Sequence, residues 1–266
     1  MQSFMLETVV GIAKVAGAEV LKVYGRKVAV TYKADNSPLT EADLLANALI
    51  CDALNAAYPD IPILSEETKA APYEERQGWE EYWCVDPIDG TKEFIKKTGD
   101  FTVNIALIRH GVPVLGVVQA PVWDVLYGAQ EGKGAFKETV QGREALHVTP
   151  FDTRHCIVVA SKSHLSSKTK RFIAALKAEV TEVEVQQRGS SLKLCLIAEG
   201  KAHLYPRVAP TMEWDTAAGH AILKEAGGEI YMYNPELTPS HYYLRQGVTP
   251  LIYNKPSLYN PSFIAV

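Results

Sequence analysis

Apolar residues recur at helical spacing from the start of the chain. Phe4, Met5, Val9, Ile12, Val15, Ala16, Val20 and Val23 share one side of a helix over residues 3–24, with Glu7, Lys14, Glu19 and Lys22 between them. Residues 28–33 alternate as a strand, Asp35-Asn36-Ser37-Pro38 is a turn signal, and Thr40 is placed to cap a second helix running to Ala57. Pro59 to Leu64 leads into a short strand ending at Ser65-Glu66-Glu67. Residues 69–80 are polar and fit a short helix or an exposed loop.

From Tyr82 the period changes to two. Tyr82–Val85, then Val103, Ile105 and Leu107, then Val112–Ala120 and Val125–Ala129 predict a β-meander, with a hairpin bend at Gly132–Phe136. The second half alternates. Strands are expected at Ile157–Ala160, Val180–Val185, Ala202–Tyr205, Ile230–Tyr233 and Pro250–Tyr253. Helices are expected at Ser166–Ala178, Ser190–Glu199 and Asp215–Ala226, the last stopped by Gly227-Gly228. A β-rich first half followed by alternating α and β predicts a layered α/β fold, one unit over 1–266. Its two lobes, about 1–150 and 151–266, would enclose a cleft.

Composition narrows the class. The 266 residues carry a net charge of −4 with no long basic run, which argues against nucleic acid as a partner. Cys51, Cys84, Cys156 and Cys195 are widely spaced without a C-x-x-C. Three of them lie in apolar runs, as expected of free thiols in a reducing compartment. The amphipathic N-terminus differs from a secretory signal, and no stretch is long and apolar enough to span a bilayer. The expectation is a cytoplasmic protein, with peripheral contact at the inner face of the cell membrane left open.

The chemistry concentrates at Asp86-Pro87-Ile88-Asp89-Gly90-Thr91, directly after the strand of Tyr82–Val85. By itself this is a turn signal. Glu66-Glu67 at a strand end, Asp43 in the first turn of a helix and Asp215 at a helix start change the balance. Each has an ordinary explanation alone: solvated charge, a capping box with Thr40, an N-cap. Brought together, an Asp/Glu set without His or Cys suits Mg²⁺ or Mn²⁺ rather than zinc, and Ile88 can add only a backbone carbonyl.

These motifs resemble the inositol monophosphatase superfamily of Mg²⁺-dependent, lithium-sensitive phosphatases. One signature is Trp83-Cys84-Val85-Asp86-Pro87-Ile88-Asp89-Gly90-Thr91. The other is Trp214-Asp215-Thr216-Ala217-Ala218-Gly219, continuing to Ala226-Gly227-Gly228, and Leu64-Ser65-Glu66-Glu67 supports both. Thr91-Lys92-Glu93-Phe94, Ser37–Asp43 and Gly189–Cys195 are similar to its 3′(2′),5′-bisphosphate nucleotidase subgroup of the CysQ type. The resemblance implies a layered αβαβα sandwich. It implies one Mg²⁺ on Glu66, Asp86 and the Ile88 carbonyl and a second on Asp86, Asp89 and Asp215. It leaves room for a third, weaker ion near Glu66 and Asp43, and for Mn²⁺ as a substitute. Thr91, hydrogen-bonded to Asp43, would handle the attacking water, and the Gly90 and Thr91 amides would face phosphate oxygens. Ser190, Lys193, Arg207 and His164 would contact the rest of a bisphosphate nucleotide. The implied reaction converts adenosine 3′,5′-bisphosphate to AMP and phosphate, a role in sulfur metabolism, by a monomer or homodimer. The alternatives are an inositol or sugar monophosphatase of the same superfamily and, more distantly, a non-catalytic metal or nucleotide sensor.

Overall fold

In the computed structural model, residues 2–33, 37–161 and 166–266 are described. The first half runs α1 (Gln2–Tyr24), β1 (Val30–Tyr32), β2 (Pro38–Thr40), α2 (Glu41–Ala57), β3 (Ile63–Ser65), α3 (Tyr73–Arg76), β4 (Glu81–Asp89) and α4 (Thr91–Ile95). The meander follows as β5 (Thr102–Arg109), β6 (Val112–Ala120), β7 (Val125–Gln130), β8 (Ala135–Thr139) and β9 (Gly142–Leu146). The second half holds β10 (His155–Ser161), α5 (Ser167–Leu176), β11 (Glu182–Arg188), α6 (Leu192–Ala198), β12 (Tyr205–Arg207) and β13 (Thr211–Met212). It closes with α7 (Ala217–Glu225), β14 (Ile230–Met232), α8 (Pro239–Tyr243), β15 (Tyr259–Asn260) and β16 (Phe263–Ala265).

Strands β3 to β9 form one seven-stranded sheet in chain order. Only β3–β4 is parallel; the rest is the expected antiparallel meander. Period-two alternation sorts its side chains between two cores. Trp83, Val85, Val103, Ile105 and Leu107 pack with α1 and α2 on one face. Tyr82, Cys84, Ala106, Ile108 and Val118 pack with α6 and α7 on the other. Beyond α6 and α7 lie β12–β16–β14 and the β10–β11 pair, whose far side packs Phe172, Leu176 and Tyr242 of α5 and α8. The layers are thus α, β, α, β, α.

Two glycines bring the central layer close. A Cβ on Gly116 of β6 would lie 2.3 Å from the Ala218 carbonyl oxygen, and one on Gly219 would lie 2.7 Å from Leu194 Cδ1. α7 is therefore seated against β6 on one side and α6 on the other at distances no side chain would permit.

Several boundaries differ from expectation. In α1, Phe4 and Val15 face solvent at 78% and 58% exposure, and Leu6, Val10 and Ala13 complete the buried stripe. β4 does not stop before the acidic stretch but continues through it to Asp89, with an irregular register between Asp86 and Asp89. The reversal comes at Gly90, whose φ of 95° suits glycine. β12 begins where the expected strand at Ala202–Tyr205 ends, and β11 lies later than Val180–Val185. Pro250–Tyr253 is not a strand. Leu251 and Tyr253 are buried, yet their amides donate singly to Ile230 and Gly111. The central strand of that sheet is instead β16, paired on both sides. Cys84, Cys156 and Cys195 are buried and Cys51 is half-buried, all as free thiols. Among the described residues no helix is long and apolar enough to cross a membrane. The expected turn at Asp35-Asn36 lies outside the described residues.

Candidate metal centre

Three elements deliver the acidic groups to one point. Glu66 follows β3, Asp86 and Asp89 belong to the irregular end of β4, and Asp215 precedes α7. Carboxylate oxygens of Glu66, Asp86 and Asp215 lie within 4.8 Å of one another. Asp89 and Ile88 line the same hollow, a space of about 240 Å³ that also includes Gly90 and Thr91. Asp86 Oδ1 accepts from the Ile88 amide at 3.1 Å. Its Oδ2 is buried without a hydrogen-bond partner among the described residues. A buried carboxylate oxygen left orphaned among other carboxylates is costly unless a cation neutralises it, so the donor set fits a hard divalent ion.

The electrostatics agree. Burial, then the charges of Glu66, Asp89, Asp215 and Asp43, hold the Asp86 carboxyl well above the usual carboxylate range. Burial and Asp89 push Asp215 up to about 8. Burial raises Asp89 too, opposed by Lys193 and by hydrogen bonds from Ser191. Burial also raises Glu66, opposed by Lys33, whose Nζ lies 2.8 Å from Glu66 and 2.6 Å from Glu67. Lys33 was not a candidate from sequence; a lysine ending a short strand carries no signal of its partner.

Asp43 serves two purposes. Its Oδ2 accepts from the Thr40 amide at 2.8 Å and the Thr40 hydroxyl at 2.6 Å, completing the capping box of α2. Its Oδ1 lies 3.2 Å from the Thr91 hydroxyl. The capping explanation therefore holds, and the same carboxylate also makes the Thr91 contact that the functional one expects. Asp215 is not an N-cap: α7 begins at Ala217, and Asp215 Oδ2 accepts from the Met212 amide at 2.8 Å.

Asp89, Gly90 and Asp215 also line a second hollow of about 160 Å³, completed by Ser190, Lys193 and Arg207. Ser190, at the left-handed φ of 47°, turns the chain from β11 into α6. Lys193 is not a solvated helix lysine. It is only 6% exposed, donates to the Ser190 carbonyl, and stands 5.3 Å from the Tyr205 ring centroid. Burial pulls its ammonium down to about 8, with Asp89 opposing and Arg207 reinforcing. Arg207 Nη2 donates to the Pro210 carbonyl at 3.1 Å, whereas its buried Nε has no partner among the described residues. His164 lies outside the described residues.

Three supporting residues escaped the sequence reading. Ser191 Oγ lies 2.8 Å from Asp89 Oδ2 and accepts from Asn104 Nδ2 at 2.8 Å. Asn104 was detectable as a polar residue interrupting the apolar alternation of β5. Glu213, fully buried, accepts from Tyr82, from the Asn254 and Lys255 amides and from Lys255 Nζ, fixing the segment before Asp215. Behind it, Thr216 Oγ1 accepts from Tyr253 and Asn260, and His220 lies between Tyr253 and Glu229. His220 is thus a buried hydrogen-bonding residue.

The model of the inositol monophosphatase family matches residues 1–260. The 3′(2′),5′-bisphosphate nucleotidase CysQ of Escherichia coli (strain K12) is 47% identical over 254 residues, 94% of this chain and 100% of that protein. The CysQ crystal structure from Bacteroides thetaiotaomicron, a bacterial member of the inositol monophosphatase family, is 44% identical. It superposes with a TM-score of 0.83 over 98% of this chain and 96% of that one. The Thermotoga maritima IMPase, at 23% identity and a TM-score of 0.74 over 100% and 92%, shares the fold. The chain belongs to the inositol monophosphatase family.

Proposed function

We propose that this protein is a Mg²⁺-dependent phosphatase that removes the 3′-phosphate of adenosine 3′,5′-bisphosphate, releasing AMP and phosphate. The observation that carries this reading is the joining of two hollows through Asp89, Glu93 and Asp215. One is walled by carboxylates; the other shares those three and adds Arg207 and the buried Lys193. A substrate with two phosphates suits both at once, whereas a monophosphate leaves Lys193 and Arg207 unused. The names of the CysQ relatives support the same substrate class.

Glu66, Asp86, the Ile88 carbonyl, Asp89 and Asp215 would hold the cations. Bound there, Mg²⁺ supplies a nucleophilic water at neutral pH and neutralises charge on the leaving ribose oxygen. The remaining work belongs to the chain. Thr91 has one hydroxyl proton and two acceptors in reach, Asp43 Oδ1 at 3.2 Å and the Ile88 carbonyl at 3.3 Å. Given to Asp43, that proton leaves the oxygen lone pairs facing the hollow, ready to accept from a water. Gly90, at a left-handed φ of 95°, turns the chain into α4, whose first amides would face phosphate oxygens. Lys193 and Arg207 neutralise the phosphate that is not cleaved, which orients the ester for attack.

A phosphate-release panel tests the reading: adenosine 3′,5′-bisphosphate, its sulfate-bearing form, inositol 1-phosphate and fructose 1,6-bisphosphate, with Mg²⁺, with and without Li⁺. The bisphosphate nucleotide should be turned over fastest and only with Mg²⁺. A preference for inositol 1-phosphate would overturn the substrate assignment.

A further inference from the structure

We propose that Ser191 is a positioning residue for one of the two cations, the one expected on Asp86, Asp89 and Asp215, and that Asn104 aims its hydroxyl. The proposal rests on the reading of the acidic hollow as a two-cation site. Ser191 stands where the chain turns into α6, and at 3% exposure it is buried. Leu192 and Leu194 beside it pack into the core. A hydroxyl in such a place must find partners.

Those partners belong to the acidic centre. Ser191 Oγ accepts from Asn104 Nδ2 at 2.8 Å. Its one proton has two acceptors in reach, Asp89 Oδ2 at 2.8 Å and the Asp215 carbonyl at 3.1 Å. Asn104 Nδ2 can only donate, so it directs the Ser191 proton away from itself, toward Asp89 and Asp215. Asn104 is buried in an otherwise apolar stretch of β5, and its Oδ1 has no partner among the described residues. A buried amide with one oxygen orphaned is unfavourable for the fold alone. Its bond to Ser191 serves the neighbouring site instead.

The same hydroxyl reaches all three segments that carry one cation's ligands. Asn104 lies opposite Asp86 in the β4–β5 register, Asp89 ends β4, and Asp215 precedes α7. The other cation, expected on Glu66, Asp86 and the Ile88 carbonyl, has different supports. Lys33 stands beside Glu66, and the Ile88 amide donates to Asp86. Asp89 needs a hold of its own. It sits where the register is irregular, directly before the left-handed Gly90, so the ladder does not fix its side chain. With Oδ2 held by Ser191, the carboxylate plane is set and Oδ1 is left for a cation.

Calorimetric titration of the full chain with Mn²⁺ tests this. The parent should take two ions. Ser191→Ala should weaken one of them by about 10–100-fold and leave the other unchanged, with an unaltered circular dichroism spectrum. Asn104→Leu, close in size to the amide, should weaken the same ion, and Glu66→Gln should weaken the other. Equal weakening of both ions by Ser191→Ala would make Ser191 a packing residue and overturn the proposal. So would unchanged binding in Ser191→Ala or Asn104→Leu, loss of the same ion in Glu66→Gln, or a parent that takes a single ion. A parent that takes no Mn²⁺ would overturn the cation reading of the hollow as well.

Discussion

The Thr91 hydroxyl and Asp43 Oδ1 lie 3.2 Å apart although 48 residues separate them in the chain, and the other oxygen of that carboxylate caps α2. A helix end and the Thr91 hydroxyl are thus referred to one side chain. Thr91→Val keeps the shape and removes the hydroxyl. It should lower kcat for the bisphosphate nucleotide by about 10²–10⁴-fold with little change in Tm, and Thr91→Ser should restore most of the activity. Steady-state kinetics on the three proteins decide it; near-normal turnover by the valine variant would remove Thr91 from the mechanism.

Asp86 is a carboxylate raised by its burial and by the charges of Glu66, Asp89, Asp215 and Asp43 around it. Asp86→Asn removes that charge and gives its neighbours a donor. In chelator the variant should be more stable than the unaltered protein by about 1 kcal/mol, while losing phosphate release and the Mg²⁺-induced rise in Tm. Thermal melts in chelator and in Mg²⁺ test both halves. A variant less stable than the parent in chelator would show that repulsion does not govern this site.

In the proposed reaction Lys193 meets the phosphate that is not cleaved. Lys193→Met preserves the buried stem and deletes the charge. A charged hydrogen bond contributes about 1.5–3 kcal/mol, so KM for adenosine 3′,5′-bisphosphate should rise by about 10- to 100-fold. A simple monophosphate ester should be affected little. Equal losses on both substrates would place Lys193 in the chemistry instead of in recognition.

Glu199, at the C-terminal end of α6, accepts from Tyr127 at 2.5 Å, Lys137 at 2.9 Å and Lys201 at 2.6 Å. Burial works against its charge, but these three groups hold its carboxyl below the ordinary range. A depressed carboxylate stabilises the fold above its unfolded pKa, about 4.3, and that contribution is lost as pH falls through the folded value. Glu199→Gln should therefore cost stability at neutral pH, and the gap in Tm between the two proteins should shrink as pH falls from about 5 to about 3. A gap that stays constant with pH would contradict the assignment.

The acidic centre was legible because its residues cluster in short motifs with distinctive spacing, and because Thr40 and Asp43 announce a cap on their own. Periodicity located both core helices and the meander. It failed where local pattern is silent about partners. Leu251 and Tyr253 are as buried as strand residues, but only β16 is flanked by two strands, and a short apolar run reports burial rather than pairing. β11 ends in Gln186-Gln187-Arg188, which reads as loop because an edge strand has no need of apolar residues. Lys33, Ser191 and Glu213 act on groups far away in sequence, and only the closed fold reveals what each one touches.

Gly116 and Gly219 give the centre its tolerances. They set how far α7 sits from β6 and α6, and so the spacing among Asp215 before α7, Asp86 on β4 and Lys193 on α6. Two absent methyl groups, at glycines that line neither hollow, act as the shims of the machine. The gauge of the catalytic gap is written in the places where the chain has nothing to add.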